Sequence, residues 1–272
     1  MESSNLIADF IARPFPLWNN ALSVRLVDDN FKALNNTYGL TSSILKHAVV
    51  KENILPLTEE VGCMVIALPS KEIQFFFDDH GLTPFSTDNL FDEAVAQIKG
   101  AIAVFEDVPP VKDFIIKIVK SIVILKAEDP QTDISYSHPD LPFSVFVSVC
   151  DQISPITNLR VAESILHEAM HLYLTLIEGV SPMISLNSNE TFYSPWRDEQ
   201  RPVRGVLHGL WVFKAILDFY CVIRENAVSN IVLEFIDNRI KLLKKEIAQV
   251  SGFQHSKGLT SQGQILAMNL LS

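Results

Sequence analysis

Residues 158–178 read NLRVAESILHEAMHLYLTLIE, and this stretch decides the fold class. Ile165, Leu166, Ala169, Met170, Leu172 and Leu174 make it apolar nearly all round, which is the pattern of a helix buried inside a protein. Within it lies H-E-A-M-H, residues 167–171. On a helix, positions i and i+4 stand one above the other, so His167 and His171 can offer two imidazoles to one ion. Glu168 lies beside them, within reach of a water on that ion. Two imidazoles and a carboxylate are costly to bury here unless they share a partner, and a metal supplies one. The plain alternative is a pair of core histidines with a structural glutamate.

Upstream, FSVFVSVC (143–150) reads as a strand. FIIKIVKSIVILK (114–126), rich in β-branched residues, reads as a central strand following a break at Pro109 and Pro110. The polar loop AEDPQTDISYSHPDLP joins the two. Strand, strand, then a long helix carrying H-E-x-x-H is the order in which a zincin-type sheet meets its active-site helix. The first hundred residues read as mostly helical: a helix over 17–37, two strand-like runs at 62–68 (GCMVIAL) and 73–77 (IQFFF), then another helix. Thr87 and Asp88 can cap that helix, and Leu90, Phe91, Ala94, Ile98, Ile102 and Phe105 form its buried stripe. Downstream, Gly179 is a helix stop, 180–200 is a long loop, and Pro202 suits the first turn of the next helix. An amphipathic helix over about 227–250 and a short helical tail complete the chain. The expected class is α+β: a zincin-like catalytic domain over 109–272, with a small mixed sheet, an active-site helix and a second ligand helix. A mainly helical N-terminal region, 1–108, precedes it, and the sequence leaves open whether it recognises the substrate or a leader segment.

With 272 residues, 48% of them hydrophobic, the chain can bury a sizeable core. A net charge of −10 argues against nucleic acid and anionic membrane as partners, since both call for clustered Lys and Arg. Lys241, Lys244 and Lys245 look like the wet face of a helix. Cys63, Cys150 and Cys221 sit in apolar runs, as buried reduced thiols do, and the absence of Cys-x-x-Cys excludes a thiolate zinc site. The start lacks the pattern of a signal peptide, and no apolar run approaches the roughly 20 residues of a membrane span. These features together lead us to expect a cytoplasmic protein.

A third ligand must come from another element. His208, centred among Val206, Leu207, Leu210 and Trp211, is the best candidate, and a satisfied core histidine is its bland alternative. Glu199, Asp198 and Asp218 are weaker candidates; His80 and His138 read as loop or surface residues. Arg201 and Arg204 precede His208 by seven and four residues and fall near the same face. Such a fork suits a carboxylate ligand, although helix-start surface residues would look the same. Trp196 and Trp211 are placed to wall a pocket or simply to pack.

LPFSVFVS, SILHEAMH, PWR…RPVRGVLHGLWVF and the GLTSQGQ tail together resemble the HExxH-type 2-oxoglutarate-dependent peptide β-hydroxylases of ribosomally made peptide pathways. The likeness covers about residues 110–265 and rests on the combination of HExxH with RP-x-x-G-x-x-H. It implies iron(II), 2-oxoglutarate, dioxygen, and hydroxylation of a side-chain β-carbon in a precursor peptide. It also implies His167, His171 and His208 as ligands and Arg201 or Arg204 on the distal carboxylate of 2-oxoglutarate. Glu168 would then only orient a ligand or substrate. Three histidines depart from the usual two-histidine, one-carboxylate oxygenase set, which leaves the metal open.

The rival is a zinc metallopeptidase. His167, His171 and His208 would hold zinc, Glu168 would be the general base, and strand 143–150 would be the edge to which a peptide adds. No tyrosine or histidine is evidently placed to stabilise an oxyanion, Tyr173 and Tyr193 being the nearest options. A third reading is a non-catalytic peptide-binding protein with a structural metal or none.

Overall fold

The computed structural model describes residues 2–13, 16–38, 54–56, 64–67, 74–85, 91–127, 129, 131–138, 141, 143–186, 188–227 and 229–272. Cys63 and the cap candidates Thr87 and Asp88 lie outside them. The protein is α+β, mainly helical with a small mixed sheet. Two compact units divide the chain: Val27–Leu172, and Met1–Leu26 with Tyr173–Ser272. The units part at 26/27 and 172/173.

The Val27–Leu172 unit holds the sheet. Its strands are β1 (Ile54–Pro56), β2 (Val65–Ala67), β3 (Ser121–Leu125), β4 (Ser135–Tyr136) and β5 (Ser144–Ser148), in the order β1-β2-β3-β5-β4. β2, β3 and β5 run parallel, and β1 and β4 are antiparallel edges. Strands β3 and β5 are buried at every position, as parallel strands covered on both faces must be. This corrects the placement of 143–150 as the edge strand: β5 lies between β3 and β4, and β4 is the edge.

Two other expectations also give way. QFFF, the described part of the second strand-like run, is not a strand; Gln74–Asp79 is a helix, which ends before Gly81 at φ 62°. The expected 114–126 strand is half helix. Pro109–Ile118 is helical, Pro109 and Pro110 open it, and Val111, Phe114, Ile115 and Ile118 are its buried stripe. A proline pair that breaks one segment is also the preferred first turn of a helix. Numbered in chain order, the helices are α1 (Glu2–Ala12), α2 (Asn20–Tyr38), α3 (Gln74–Asp79), α4 (Phe91–Val104) and α5 (Pro109–Ile118), followed by the motif helix α6 (Pro155–Val180). The entry to α6 is fixed by Gln97 of α4, 1% exposed, which accepts from the Cys150 amide and donates to the Gln152 carbonyl.

In the other unit, residues 180–200 are not a loop throughout. Strands β6 (Thr191–Ser194) and β7 (Glu199–Pro202) form an antiparallel hairpin, and Asp198 takes the left-handed conformation in its turn. Helices α7 (Val203–Asn226), α8 (Asn230–Gln249) and α9 (Ser261–Leu270) follow. The tail returns to the segment after α6: Thr260 caps α9, its Oγ1 donates to the Pro182 carbonyl, and its amide donates to that of Met183. Helix α7 does have the length and apolarity of a membrane span, contrary to the sequence expectation, and 67% of that window is buried inside the protein. Cys150 is half-buried and Cys221 exposed, so neither is the fully buried thiol expected.

Candidate metal centre

Helix α6 brings the motif histidines together. The Nε2 atoms of His167 and His171 lie 3.1 Å apart, and their rings meet edge to face at 4.7 Å. That separation suits an N–H···N hydrogen bond. It suits a shared ion equally: two metal–nitrogen bonds of about 2.1 Å, at a right angle or somewhat wider, hold their nitrogens about 3.0–3.4 Å apart. The donor pair therefore fits a divalent transition metal. Among the described residues, however, no group of three or more His, Cys, Asp or Glu side chains is gathered around one point.

Glu168 is committed elsewhere. It is 4% exposed, its Oε1 accepts from Ser135 Oγ and its Oε2 from Ser137 Oγ, both at 2.6 Å. Oε1 also lies 3.9 Å from His167 Nε2. Along the segment D-I-S-Y-S-H, residues 133–138, successive side chains take opposite faces, as extended backbone requires. Asp133, Ser135 and Ser137 meet α6: the Arg160 guanidinium forks onto Asp133 at 2.9 and 3.0 Å, and the serines hold Glu168. Ile134 and Tyr136 turn the other way, onto a cluster of Phe76, Phe77, Val123, Leu125, Leu141 and Phe146. Burial and then the Glu168 charge push the Tyr136 phenol above its ordinary pKa, so it stays neutral. His80 and His138 join this aromatic side, with ring centres 5.3 Å apart, and His80 Nδ1 lies 2.8 Å from the Phe76 carbonyl. His80 is exposed and His138 half-buried.

In the other unit, His208 is 7% exposed and its Nε2 lies 3.0 Å from Glu178 Oε2. Arg204 donates to the same oxygen through Nε at 3.0 Å and Nη2 at 2.9 Å. Burial raises the Glu178 pKa, but the hydrogen bonds and charges of His208 and Arg204 outweigh it and leave the carboxyl below its usual range. Arg201 Nε is 3.6 Å from Glu199 in a partly exposed pair. Asp198 accepts from Tyr193 and Asp218 from Lys214, so the weaker candidates all have local partners. Tyr173 is fully buried beside Phe10 and Trp211, and Trp211 is equally buried. Trp196 stacks on Phe213 at 5.0 Å and covers Gly209, so it packs.

Sequence reasoning passed over Ser135, Ser137, Asp133, Arg160 and Glu178. The strict polar–apolar alternation of DISYS was the signal available for the first three; nothing in the sequence marked Glu178. No family model matches the chain, and no curated protein matches it either.

Proposed function

We propose that this chain is a metal-dependent oxygenase: an iron(II)- and 2-oxoglutarate-dependent hydroxylase acting on a side-chain β-carbon of a ribosomally made peptide, built on a zincin-like core. The supporting observation is the 3.1 Å separation of the His167 and His171 ε-nitrogens on one helix face, the spacing of two donors on one ion. His208 is the third-ligand candidate on sequence grounds. Iron(II), 2-oxoglutarate and dioxygen together supply a two-electron oxidation that leaves one oxygen atom on the peptide carbon and releases succinate and carbon dioxide.

The chain's own residues have narrower tasks. A hydrolytic base must take a proton from water, whereas Glu168 already accepts a short hydrogen bond on each oxygen, which suits an anchor better than a base. Of the two arginines, Arg204 spends two donors on Glu178, and Arg201 has the looser carboxylate partner. Arg201 is therefore the stronger candidate for the distal carboxylate of 2-oxoglutarate.

The test uses full-length protein purified without oxygen, its metal content, and calorimetry with 2-oxoglutarate. Iron(II)-dependent binding of 2-oxoglutarate, succinate release, and a neighbouring gene's precursor peptide heavier by one oxygen are the expected results. Stoichiometric zinc without 2-oxoglutarate binding refutes the proposal, and peptide cleavage lost in Glu168→Gln would replace it with the peptidase reading. The 3.9 Å approach of Glu168 Oε1 to His167 Nε2 is the observation that favours that second reading.

A further inference from the structure

We propose that Ser135 and Ser137 are positioning residues of the metal site, fixing through Glu168 the rotation of α6 about its axis and so the aim of His167 and His171. This rests on the metal reading above. Three observations carry it. First, both serines come from one short segment and both donate to one carboxylate, which leaves each Glu168 oxygen with a directed partner. Second, Glu168 is 4% exposed, so water does not replace those partners. A buried carboxylate that loses them is driven to move.

Third, the pinning falls at two points along α6. Arg160, held by Asp133, precedes His167 by two turns and lies near the same face; Glu168 immediately follows His167. From 160 to 168 the helix rises about 12 Å, and the extended segment 133–137 spans about 13 Å. Strand segment and helix thus match in length, with a pin at each end. Each residue turns a helix by about 100°, so a carboxylate fixed at 168 sets the heading of the imidazole at 167. Its Oε1, held by Ser135, is also the oxygen nearer His167 Nε2. Partners hydrogen-bonded to a ligating imidazole act more directly, and their loss typically weakens metal binding about 10- to 100-fold, which bounds the effect of a route through the helix from above.

The experiment titrates metal-free full-length protein with cobalt(II), read by visible absorption and calorimetry, for wild type, Ser135→Ala/Ser137→Ala and Ser135→Thr/Ser137→Thr. Circular dichroism at the assay temperature confirms folding, and Ser135→Ala alone serves if the double alanine protein does not fold. Expected are a measurably weaker affinity, by no more than about 10- to 100-fold, and an altered cobalt spectrum in the alanine protein, with both restored by threonine, which keeps the hydroxyls. Equal affinity and spectrum in wild type and alanine protein overturn the positioning role alone. A wild type that takes up no cobalt, zinc or iron overturns the metal reading as well. A threonine protein that fails as the alanine protein does assigns the effect to packing and refutes the proposal.

Discussion

Gly209→Ala should reverse the sign of its effect according to what stands at residue 196. Gly209 lies inside α7, where alanine is favoured over glycine by about 0.8–1 kcal/mol. A Cβ there would meet Trp196 Cε3 at 2.6 Å and Cζ3 at 2.7 Å, against an ordinary contact of 3.4–4 Å. The indole must retreat by roughly 1 Å, and overpacking of this kind costs about 1–3 kcal/mol. Retreat is opposed because Trp196 is stacked almost parallel on Phe213, 13° between planes. Its Nε1 is buried with no hydrogen-bond partner among the described residues, so no polar bond can be re-formed to guide a new position. The expected net effect is a loss of about 1 kcal/mol, or about 2–4 °C in Tm for a chain of this size. In a Trp196→Ala background the obstacle is gone, and the same substitution should add about 1 kcal/mol. Urea unfolding followed by helical circular dichroism on the four proteins of the cycle measures both. If Gly209→Ala stabilises the wild-type protein by the full helix-propensity gain, the indole does not occupy the glycine face and the account of the RPVRGVLHG stretch fails.

Other substitutions probe the site and its supports. His171→Ala should abolish stoichiometric divalent-metal binding in calorimetry while the far-ultraviolet dichroism stays that of wild type; retained stoichiometric binding would remove His171 from the site. Arg160→Ala unpairs Asp133 in a partly exposed salt bridge, and about 1 kcal/mol of stability should go with it. The check is the urea midpoint, and an unchanged midpoint would argue against a pin at this end of α6. Asp218 supplies a pH test. Burial raises its pKa more than Lys214 lowers it, so the folded state binds this proton more readily than the unfolded chain does. Stability therefore falls as pH rises from the unfolded carboxylate range, about 4, through the raised folded value, and stays reduced above it. Asp218→Asn should be more stable than wild type at pH 7, with the advantage vanishing below about pH 4; a difference that is constant with pH would show that the carboxyl does not titrate abnormally.

How much of this the sequence disclosed depended on how far apart the interacting residues lie. The motif helix was legible because its signals are local: an apolar run and an i, i+4 histidine pair predict a helix over 158–178, and the helix runs from Pro155 to Val180. Helices α2, α7, α8 and α9 were legible for the same reason. FIIKIVK and QFFF misled because β-branched and aromatic residues in short runs fit a strand as well as a helix; the buried i, i+3, i+4 stripe of α5 and the glycine turn after α3 decide the matter. The β6–β7 hairpin was missed because its strands are four residues each and mostly exposed, so no apolar alternation announces them. At the site, the 31- and 33-residue separations of Ser137 and Ser135 from Glu168 are tertiary facts. His208 shows the same limit: its apolar surroundings could be read, but the carboxylate of Glu178, 30 residues away, could not.

The alternation at 133–138 also ties the sheet's register to the chemistry of α6. A slip of one residue would turn Ile134 and Tyr136 toward Arg160 and Glu168, and send the serines into the aromatic cluster. Such a misregistered sheet could not quietly carry an intact site, because the buried carboxylate would lose both hydroxyls at once. A one-residue insertion should accordingly act differently by position: inside the 134–137 segment it forces a choice between a bulge and the wrong face, whereas in the connection before it the extra residue can be looped out with the register preserved. The edge strand thus proofreads its own pairing, and the two serines are the characters by which an error is read.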